Sequence, residues 1–301
     1  MTKQSQNLEQ SPQSQKSGNG KQIRHCFLFA SLRALAHILT VTGVAFWILN
    51  FAFFTAASHA ASFNVPEKFI YDLTWTGIKA GTASLELIND GDNIKIISTA
   101  QSARWVSIFY TVDDRAESTL IKNENNPPSP PFSKGGKGGF SGESLSIGKP
   151  VNYRLKIREG RHRRDKEVIF DLNNSTAIYI DHLENEKKEF EMPAFVFDPL
   201  SSFYYLRSLK LVLGESVYVT IFDSKKVWNV EVQVLRREKV PLPIGTFDTI
   251  VIKPLMKSEG IFYRKGDIFI WLTDDIKRIP VKLQTKVAVG HVTATLVQGN
   301  Y

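Results

Sequence analysis

Apolar and polar residues alternate along most of the chain after residue 66, and this pattern constrains the fold more than any other feature. A period of two with one polar face is typical of an antiparallel sheet that is covered on one side only. The clearest apolar faces are Tyr71, Leu73 and Trp75; Ala83, Leu85 and Leu87; Val230, Val232 and Val234; and Val292, Ala294 and Leu296.

Turn-forming residues separate the alternating segments at 90–93, 173–175, 265–267 and 274–275. The spacing indicates roughly a dozen strands with short connections. A sheet of that size must curl, split or close. The sequence therefore predicts a mainly β fold, an antiparallel curved sheet or open barrel that forms one β-rich domain over residues 61–301.

Two helices are expected among the strands. Asp198 supplies an N-cap and Pro199 suits the first helical position, so one main helix is predicted over about 198–213, with Gly214 able to end it. A short helix is expected over about 103–110, where three apolar side chains share one side. Those three residues are Trp105, Ile108 and Phe109.

Residues 1–60 have the character of an export signal. A basic, polar lead precedes an apolar run from Phe27 to Ala57, and small residues favour cleavage after Ala60. The stretch 34–57 is also long enough to remain as an uncleaved inner-membrane anchor. Both alternatives predict that residues 61–301 are exported to the periplasm of a Gram-negative-type cell.

The segment 123–142 differs from the rest of the domain. It contains four prolines and five glycines, almost no core-forming residues and no periodicity. Such a composition predicts a solvated low-complexity loop. Because closure entropy rises slowly with loop length, an insert of this kind is tolerated between two strands.

Few residues suggest catalysis or metal binding. The only cysteine, Cys26, lies in the N-terminal segment, which excludes a disulfide framework or a Cys-based zinc site in the exported domain. His162, His182 and His291 match no local metal-binding spacing. The adjacent acids at 113–114 point to opposite faces if they lie on a strand, which argues against a glycosidase pair. We therefore predict a non-enzymatic protein with no catalytic, metal-binding or cofactor-binding residues.

The basic charge is partly a property of the N-terminal segment. The whole chain has a net charge of +8, but residues 1–60 hold five Lys and Arg and one Glu, which leaves 33 basic and 29 acidic residues and a net of +4. Arg161, Arg163 and Arg164 cluster in a basic run. This run is either a patch for a membrane surface, anionic lipid or glycan, or a solvated hairpin. Nucleic acid is not expected as a partner outside the cytoplasm.

The strands are rich in aromatic residues. If the sheet curls under the predicted main helix, its concave side forms an apolar cleft suited to an acyl chain or a hydrophobic peptide, unless the rings only fill the core. The candidate cleft residues are Trp75, Trp105, Phe109, Tyr204 and Trp271.

Four segments together resemble the bacterial exported family known as domain of unknown function 3108. They are 69–81 (FIYDLTWTGIKAG), 198–207 (DPLSSFYYLR), 245–247 (GTF) and 270–280 (IWLTDDIKRIP). The likeness runs from about residue 65 to residue 296. It implies a periplasmic or membrane-associated protein whose family function is unassigned, with no catalytic residues to carry over. The insert at 123–142 and the absence of a lipidated cysteine depart from the family pattern.

These observations favour a protein that binds or carries an apolar, lipid-like component of the cell envelope. The alternative is a structural or protein-interaction module of the periplasm with a fully packed core. An uncharacterised hydrolase is the second alternative. A cavity within the sheet would favour the first hypothesis, and a filled interior the second.

Overall fold

The computed structural model describes residues 63–122, 147–223, 225–255, 267–287 and 290–300. The predicted export signal at 1–60, the anchor at 34–57 and the insert at 123–142 lie outside the described residues. Within the described ranges, neither helix has the length and apolar character needed to cross a membrane.

Fourteen strands and two helices make up the described chain. The strands are β1 (Glu67–Trp75), β2 (Ile78–Asp90), β3 (Asn93–Ser102), β4 (Asp113–Ile121), β5 (Lys149–Glu159), β6 (His162–Asp171), β7 (Thr176–Asp181), β8 (Glu186–Glu191), β9 (Ser216–Asp223), β10 (Lys226–Leu242), β11 (Gly245–Leu255), β12 (Ile268–Thr273), β13 (Pro280–Lys286) and β14 (His291–Asn300). The helices are α1 (Arg104–Ser107) and α2 (Pro199–Ser208).

All fourteen strands belong to one sheet in the order β8-β7-β6-β5-β4-β3-β2-β1-β14-β13-β12-β11-β10-β9. Every neighbouring pair is antiparallel, and all but one pair are consecutive in sequence. The exception is β1 with β14, which joins the two ends of the described chain at the middle of the sheet. The predicted antiparallel fold is confirmed, with fourteen strands instead of a dozen.

The sheet curls until its two edge strands approach each other. Phe197, which follows β8, makes an isolated parallel bridge to Ile221 of β9. The Phe197 amide donates to the Thr220 carbonyl at 2.9 Å, and the Phe197 carbonyl accepts from the Phe222 amide at 2.8 Å. Since β8 and β9 share no ladder in the part of the chain that the structure describes, the barrel is open.

Helix α2 is shorter than the predicted 198–213. The side-chain hydroxyl of Ser208 donates to the Tyr205 carbonyl at 2.6 Å, and Leu209 is already extended. A serine that bonds to the backbone of the preceding turn competes with helix continuation. Gly214, the predicted stop, instead has a φ of +79° in the turn before β9.

Helix α1 is likewise shorter than the predicted 103–110. It comprises one turn, and the amides of Phe109 and Tyr110 then both donate to the Val106 carbonyl. Val106 and Tyr110 are buried in a small apolar cluster with Ala80 and Val112. The remaining apolar residues of this segment therefore point to solvent.

The basic run that contains Arg161 and Arg163 forms the β5–β6 hairpin. Gly160 sits in the turn with a φ of +57°, and a Cβ there would lie 2.5 Å from the Tyr110 ring. The Gly160 amide also donates to the Thr111 carbonyl at 2.7 Å. The hairpin turn is therefore packed directly against the residues that follow α1.

Candidate functional site

A cavity of about 90 Å³ lies between α2 and one face of the sheet. Its walls come from β1, β2, β3, β12, β13 and β14, and its roof comes from two side chains of α2. The lining residues are Tyr71, Leu73, Ala83, Leu85, Ala100, Leu200, Phe203, Ile270, Pro280, Lys282, Leu283, Thr285, Val292 and Ala294.

Small side chains explain why the space is there. Ala83 of β2 pairs directly with Ala100 of β3, and Ala294 of β14 pairs with Leu73 of β1. Protein interiors are close-packed, so a void arises where neighbouring positions lack the volume to reach the layer above. Three alanines on one sheet face leave such a gap beneath α2.

The cavity contains one polar group without a partner. The Thr285 hydroxyl is buried and makes no hydrogen bond within the described residues. The other polar side chains that line the cavity are engaged: the Tyr71 hydroxyl donates to the Pro280 carbonyl at 2.9 Å, and the Lys282 ammonium lies 4.4 Å from the centroid of the Trp271 ring. A bound molecule would therefore meet apolar carbon and one hydroxyl.

One side of the cavity reaches the surface. Phe203 of α2 and Lys282, Leu283 and Ala294 of the sheet are half-buried, whereas the deeper lining residues are buried. We call these four half-buried residues the rim. The rim gives a molecule larger than the cavity a route to solvent.

Buried polar contacts hold the first turn of α2 in place. The Asp198 carboxylate accepts from the amides of Leu200 and Ser201 at 2.8 and 3.1 Å, which forms the predicted N-cap. It also accepts from the Ser118 hydroxyl of β4 at 2.6 Å. Burial raises the pKa of Asp198, while these hydrogen bonds oppose the shift. This cap fixes the first turn, which carries Leu200, to β4, the strand next to the cavity-lining β3.

A buried ion pair holds the last turn. The Arg207 guanidinium donates to the Glu67 carboxylate at 2.7 and 2.8 Å, and both side chains are at most 3% exposed. Arg207 also donates to the carbonyls of Lys277 and Arg278 and lies 4.7 Å from the Tyr204 ring centroid. The roof of the cavity is therefore fixed at both ends by contacts to β4, β1 and the β12–β13 turn.

None of the five candidate cleft residues is among the residues that line the cavity. Tyr204 is fully buried and packs against Arg207, and Trp271 lies on the strand face opposite its neighbour Ile270. Trp75 packs against Val287 and Val292 at the end of the sheet. Trp105 and Phe109 are 42% and 61% exposed.

The alternating faces predicted from the sequence do reach the cavity. Six lining residues belong to them: Tyr71, Leu73, Ala83, Leu85, Val292 and Ala294. Alternation thus identified the correct face of three strands. Nothing local in the sequence marks Ala100 or Thr285 as cavity residues, because alternation assigns a residue to a face but does not show whether that face is filled.

One carboxyl away from the cavity has an unusual environment. Asp114 accepts from the Arg158 amide at 2.9 Å through one oxygen, while its other oxygen is buried without a partner in the described ranges. Burial raises the pKa of Asp114 to about 6. Asp113 is exposed, so these adjacent acids do point to opposite faces. No cluster of three or more His, Cys, Asp or Glu suited to a metal ion occurs among the residues described.

These features define an open antiparallel barrel in which the inner helix α2 roofs a small apolar cavity. The chain belongs to the family described as "Protein of unknown function (DUF3108)", whose model matches residues 144–297. The matched region runs from β5 into β14, whereas the resemblance of the four sequence segments begins at about residue 65. No curated protein matches the chain.

The chain is remotely similar to several solved structures of other proteins. A β-barrel-like protein of the domain of unknown function DUF1849 from Brucella abortus has a TM-score of 0.47 and 10% identity, over 78% of this chain and 97% of that chain. The hypothetical protein CT021 from Chlamydia trachomatis has a TM-score of 0.33 and 5% identity, over 79% and 88% of the two chains. At this distance neither likeness bears on what the protein binds.

Proposed function

We propose that this protein binds an apolar, lipid-like molecule in the cavity beneath α2. The observation that carries the proposal is a cavity of about 90 Å³ whose lining is almost entirely apolar. Burying apolar surface is the main driving force for such binding, at roughly 25 cal/mol per Å². An apolar cavity stays dry and is available to an apolar molecule.

The volume favours a thin ligand over a bulky one. A cavity of about 150 Å³ holds benzene, and drug-sized molecules occupy roughly 300 Å³ or more. The cavity therefore suits the end of an acyl chain, with the rest of the molecule passing over the rim. In this arrangement the buried Thr285 hydroxyl lies beside hydrocarbon and gains no hydrogen-bond partner from the ligand, whose polar group stays outside the rim.

The proposed setting is the periplasm, where the ligand would be a component of the cell envelope. The support for this setting comes from residues 1–60, whose basic lead, apolar run and small residues before position 61 suit export. The proposed role is binding or carrying without chemistry. Asp114 and its hydrogen-bond donor Arg158 lie on β4 and β5, which do not line the cavity, so Asp114 offers no reacting group to a molecule held there.

The edge strands disfavour a role as a strand-pairing interaction module. The edge strand β8 has the sequence EKKEFE, and charged side chains on an edge discourage pairing with another chain. The other edge strand, β9, already pairs locally with Phe197. A partner that adds a strand would therefore meet charge at one edge and a backbone bridge at the other.

The test is lipid capture by the protein purified from a bacterial host that expresses the full chain. Native mass spectrometry should detect a bound lipid-like mass, and acyl-chain ligands should displace a fluorescent fatty-acid analogue. Ala294→Leu, which adds volume at the rim, should reduce binding of the analogue at least tenfold. Thr285→Val, which replaces the hydroxyl with a methyl group of similar size, should leave binding unchanged or tighten it slightly, because no hydrogen bond to the ligand is lost.

The matched control is Ala103→Leu. Ala103 is half-buried like Ala294 but does not line the cavity, so its replacement should leave binding unchanged. A wild-type protein with no co-purified mass and no displacement by any acyl ligand would contradict the proposal. Equal loss in Ala294→Leu and Ala103→Leu would show that binding occurs elsewhere.

A further inference from the structure

The strongest unassigned feature is an apolar surface beside α1. Ile78, Trp105, Ile108 and Phe109 are 60%, 42%, 77% and 61% exposed, and we call these four residues the α1 surface. The Trp105 indole N–H donates to the Lys79 carbonyl at 2.9 Å, which places the β1–β2 hairpin against α1. The α1 surface therefore combines residues from two segments that are distant in sequence and are joined by this hydrogen bond.

The orientation of this segment is unusual for a water-soluble surface. Val106 and Tyr110 fill the apolar cluster beneath it, so Ile108 and Phe109 face away from the protein, and Trp105 is partly exposed beside them. Residues at spacings of three and four positions lie on one side of a helical turn. Contiguous exposed apolar residues mark interaction sites, whereas single ones are ordinary.

Positive charge surrounds the α1 surface. The segments 75–79, 103–112 and 158–164 contain six Lys and Arg and a single acid, Glu159, which is 2% exposed. Lys79 pairs with Asp72 at 2.6 Å, and Asp113 is the exposed acid that follows 103–112. Arg104, Arg158, Arg161 and Arg163 are exposed. The hairpin that carries Arg161 and Arg163 packs on Tyr110 and Thr111.

We propose that the α1 surface and the arginines around it dock this protein on an anionic lipid bilayer. Trp and Phe insert at the level of the headgroups, and exposed arginines bind the anionic groups around them. Each basic residue near such a surface contributes about fivefold in affinity. The four exposed arginines around the α1 surface outnumber the exposed acid Asp113, so this border is complementary to a surface of uniform negative charge such as an anionic bilayer.

The position of the α1 surface also relates to the cavity. The lining residues Leu73, Ala100 and Val292 lie within a few positions of the strand ends at this side of the sheet. At about 3.3 Å per strand residue, that is roughly 10 Å or less. Docking would thus bring the cavity close to the bilayer, although the docking proposal does not depend on a ligand in the cavity.

The experiment reads the environment of position 108 directly, because residues 27–57 are themselves apolar and would bind vesicles in a simple sedimentation assay. In the full chain with Cys26→Ser, Ile108→Cys is labelled with the polarity-sensitive dye NBD. Vesicles of phosphatidylglycerol and phosphatidylcholine should shift its emission to the blue, and brominated lipids should quench it. Pure phosphatidylcholine should give a much weaker effect at the same lipid concentration.

Two controls keep the result specific. Ile276→Cys carries the same dye at an exposed isoleucine in the β12–β13 turn, at the opposite end of the strands, and should show neither shift nor quenching. Adding Arg161→Glu and Arg163→Glu to the Ile108→Cys protein should raise the lipid concentration for half-maximal shift more than twentyfold. An unshifted dye at position 108, or equal shifts at 108 and 276, would overturn the proposal and leave a protein partner as the occupant.

Discussion

Helix α2 lies inside the curled sheet with Tyr204 and Leu206 fully buried, whereas α1 lies at its end with Trp105 and Phe109 in solvent. Both segments carry aromatic side chains at helical spacing, so their residue types alone do not separate them. The two helices differ in where they lie relative to the sheet. Aromatic content predicted a cleft, but position relative to the sheet decides whether a ring is core or surface.

The anchoring of the two helices differs as clearly as their burial. Buried polar contacts hold α2 at both ends, through Asp198 and Arg207. The N-cap of α1 is Ala103, which makes no side-chain cap. We therefore expect substitutions around α2 to change stability and those on α1 to change surface behaviour.

The largest effect is expected at the buried ion pair. Glu67→Ala leaves the Arg207 guanidinium buried without its counter-charge, so the free energy of unfolding should fall by about 3–5 kcal/mol. Urea denaturation followed by tryptophan fluorescence measures the change. The double variant Glu67→Met, Arg207→Met should recover much of the loss, since neither charge then remains. A single-variant loss below about 1 kcal/mol would show that the pair does not anchor α2.

The cap of α2 should come next. Asp198→Ala removes an N-cap worth about 1–2 kcal/mol and leaves the buried Ser118 hydroxyl without its acceptor. The free energy of unfolding, measured by urea denaturation, should fall by about 3 kcal/mol in total. Asp198→Asn keeps an acceptor for the amides of Leu200 and Ser201 and should cost less. If the two variants lose equal stability, the hydrogen bonds are not the cause.

The region below α1 should show a pH effect through Asp114. Its pKa is raised from the usual 3.8 to about 6, so the folded state binds the proton more tightly, and that stabilisation is lost as the pH rises through about 6. One pKa unit is about 1.4 kcal/mol. As the pH rises from 4 to 7.5, the free energy of unfolding of the wild type should therefore fall by about 2–3 kcal/mol relative to that of Asp114→Asn, which has no proton to lose. Chemical denaturation at both pH values measures this difference. If the free energies of unfolding of Asp114→Asn and the wild type differ by the same amount at both pH values, the pKa of Asp114 is not raised and its carboxyl group is well solvated.

The smallest effect is expected on α1. Phe109→Ser should change the free energy of unfolding by about 0.5 kcal/mol or less, because the ring is mostly exposed. Leu206→Ala on α2 is the contrasting variant and should cost about 2–5 kcal/mol. Parallel urea titrations compare the two, and a large loss for Phe109→Ser would mean that the α1 surface belongs to the core.

The sequence predicted the sheet and much of its inner face. Period-two alternation placed Tyr71 and Leu73 on one side of their strand, and both line the cavity. The prediction that Asp198 caps α2 is also confirmed. The preference for Asp at the N-cap and Pro at the first helical position depends only on adjacent residues. These features depend on neighbours in sequence, which a single sequence records.

The cavity residues were not predictable from type. Trp271 and Ile270 are adjacent and point to opposite faces, and nothing local indicates which face is inside when both residues are buried. Thr285 stands out only because its hydroxyl has no hydrogen-bond partner among the residues that the structure describes. Which side of α1 is exposed likewise depends on a tertiary contact, because Val106 and Tyr110 pack into the apolar cluster with Ala80 and Val112.

The pairing of β1 with β14 has a consequence for how the chain acquires its structure. Residues 67–75 must meet residues 291–300 before the middle of the sheet exists, so the central ladder spans more than 200 positions of sequence. Contacts between such distant positions slow folding, because the loop must close before any contact compensates for the lost entropy. We therefore expect the hairpins to form early and the barrel to assemble only after the last strand has been synthesised.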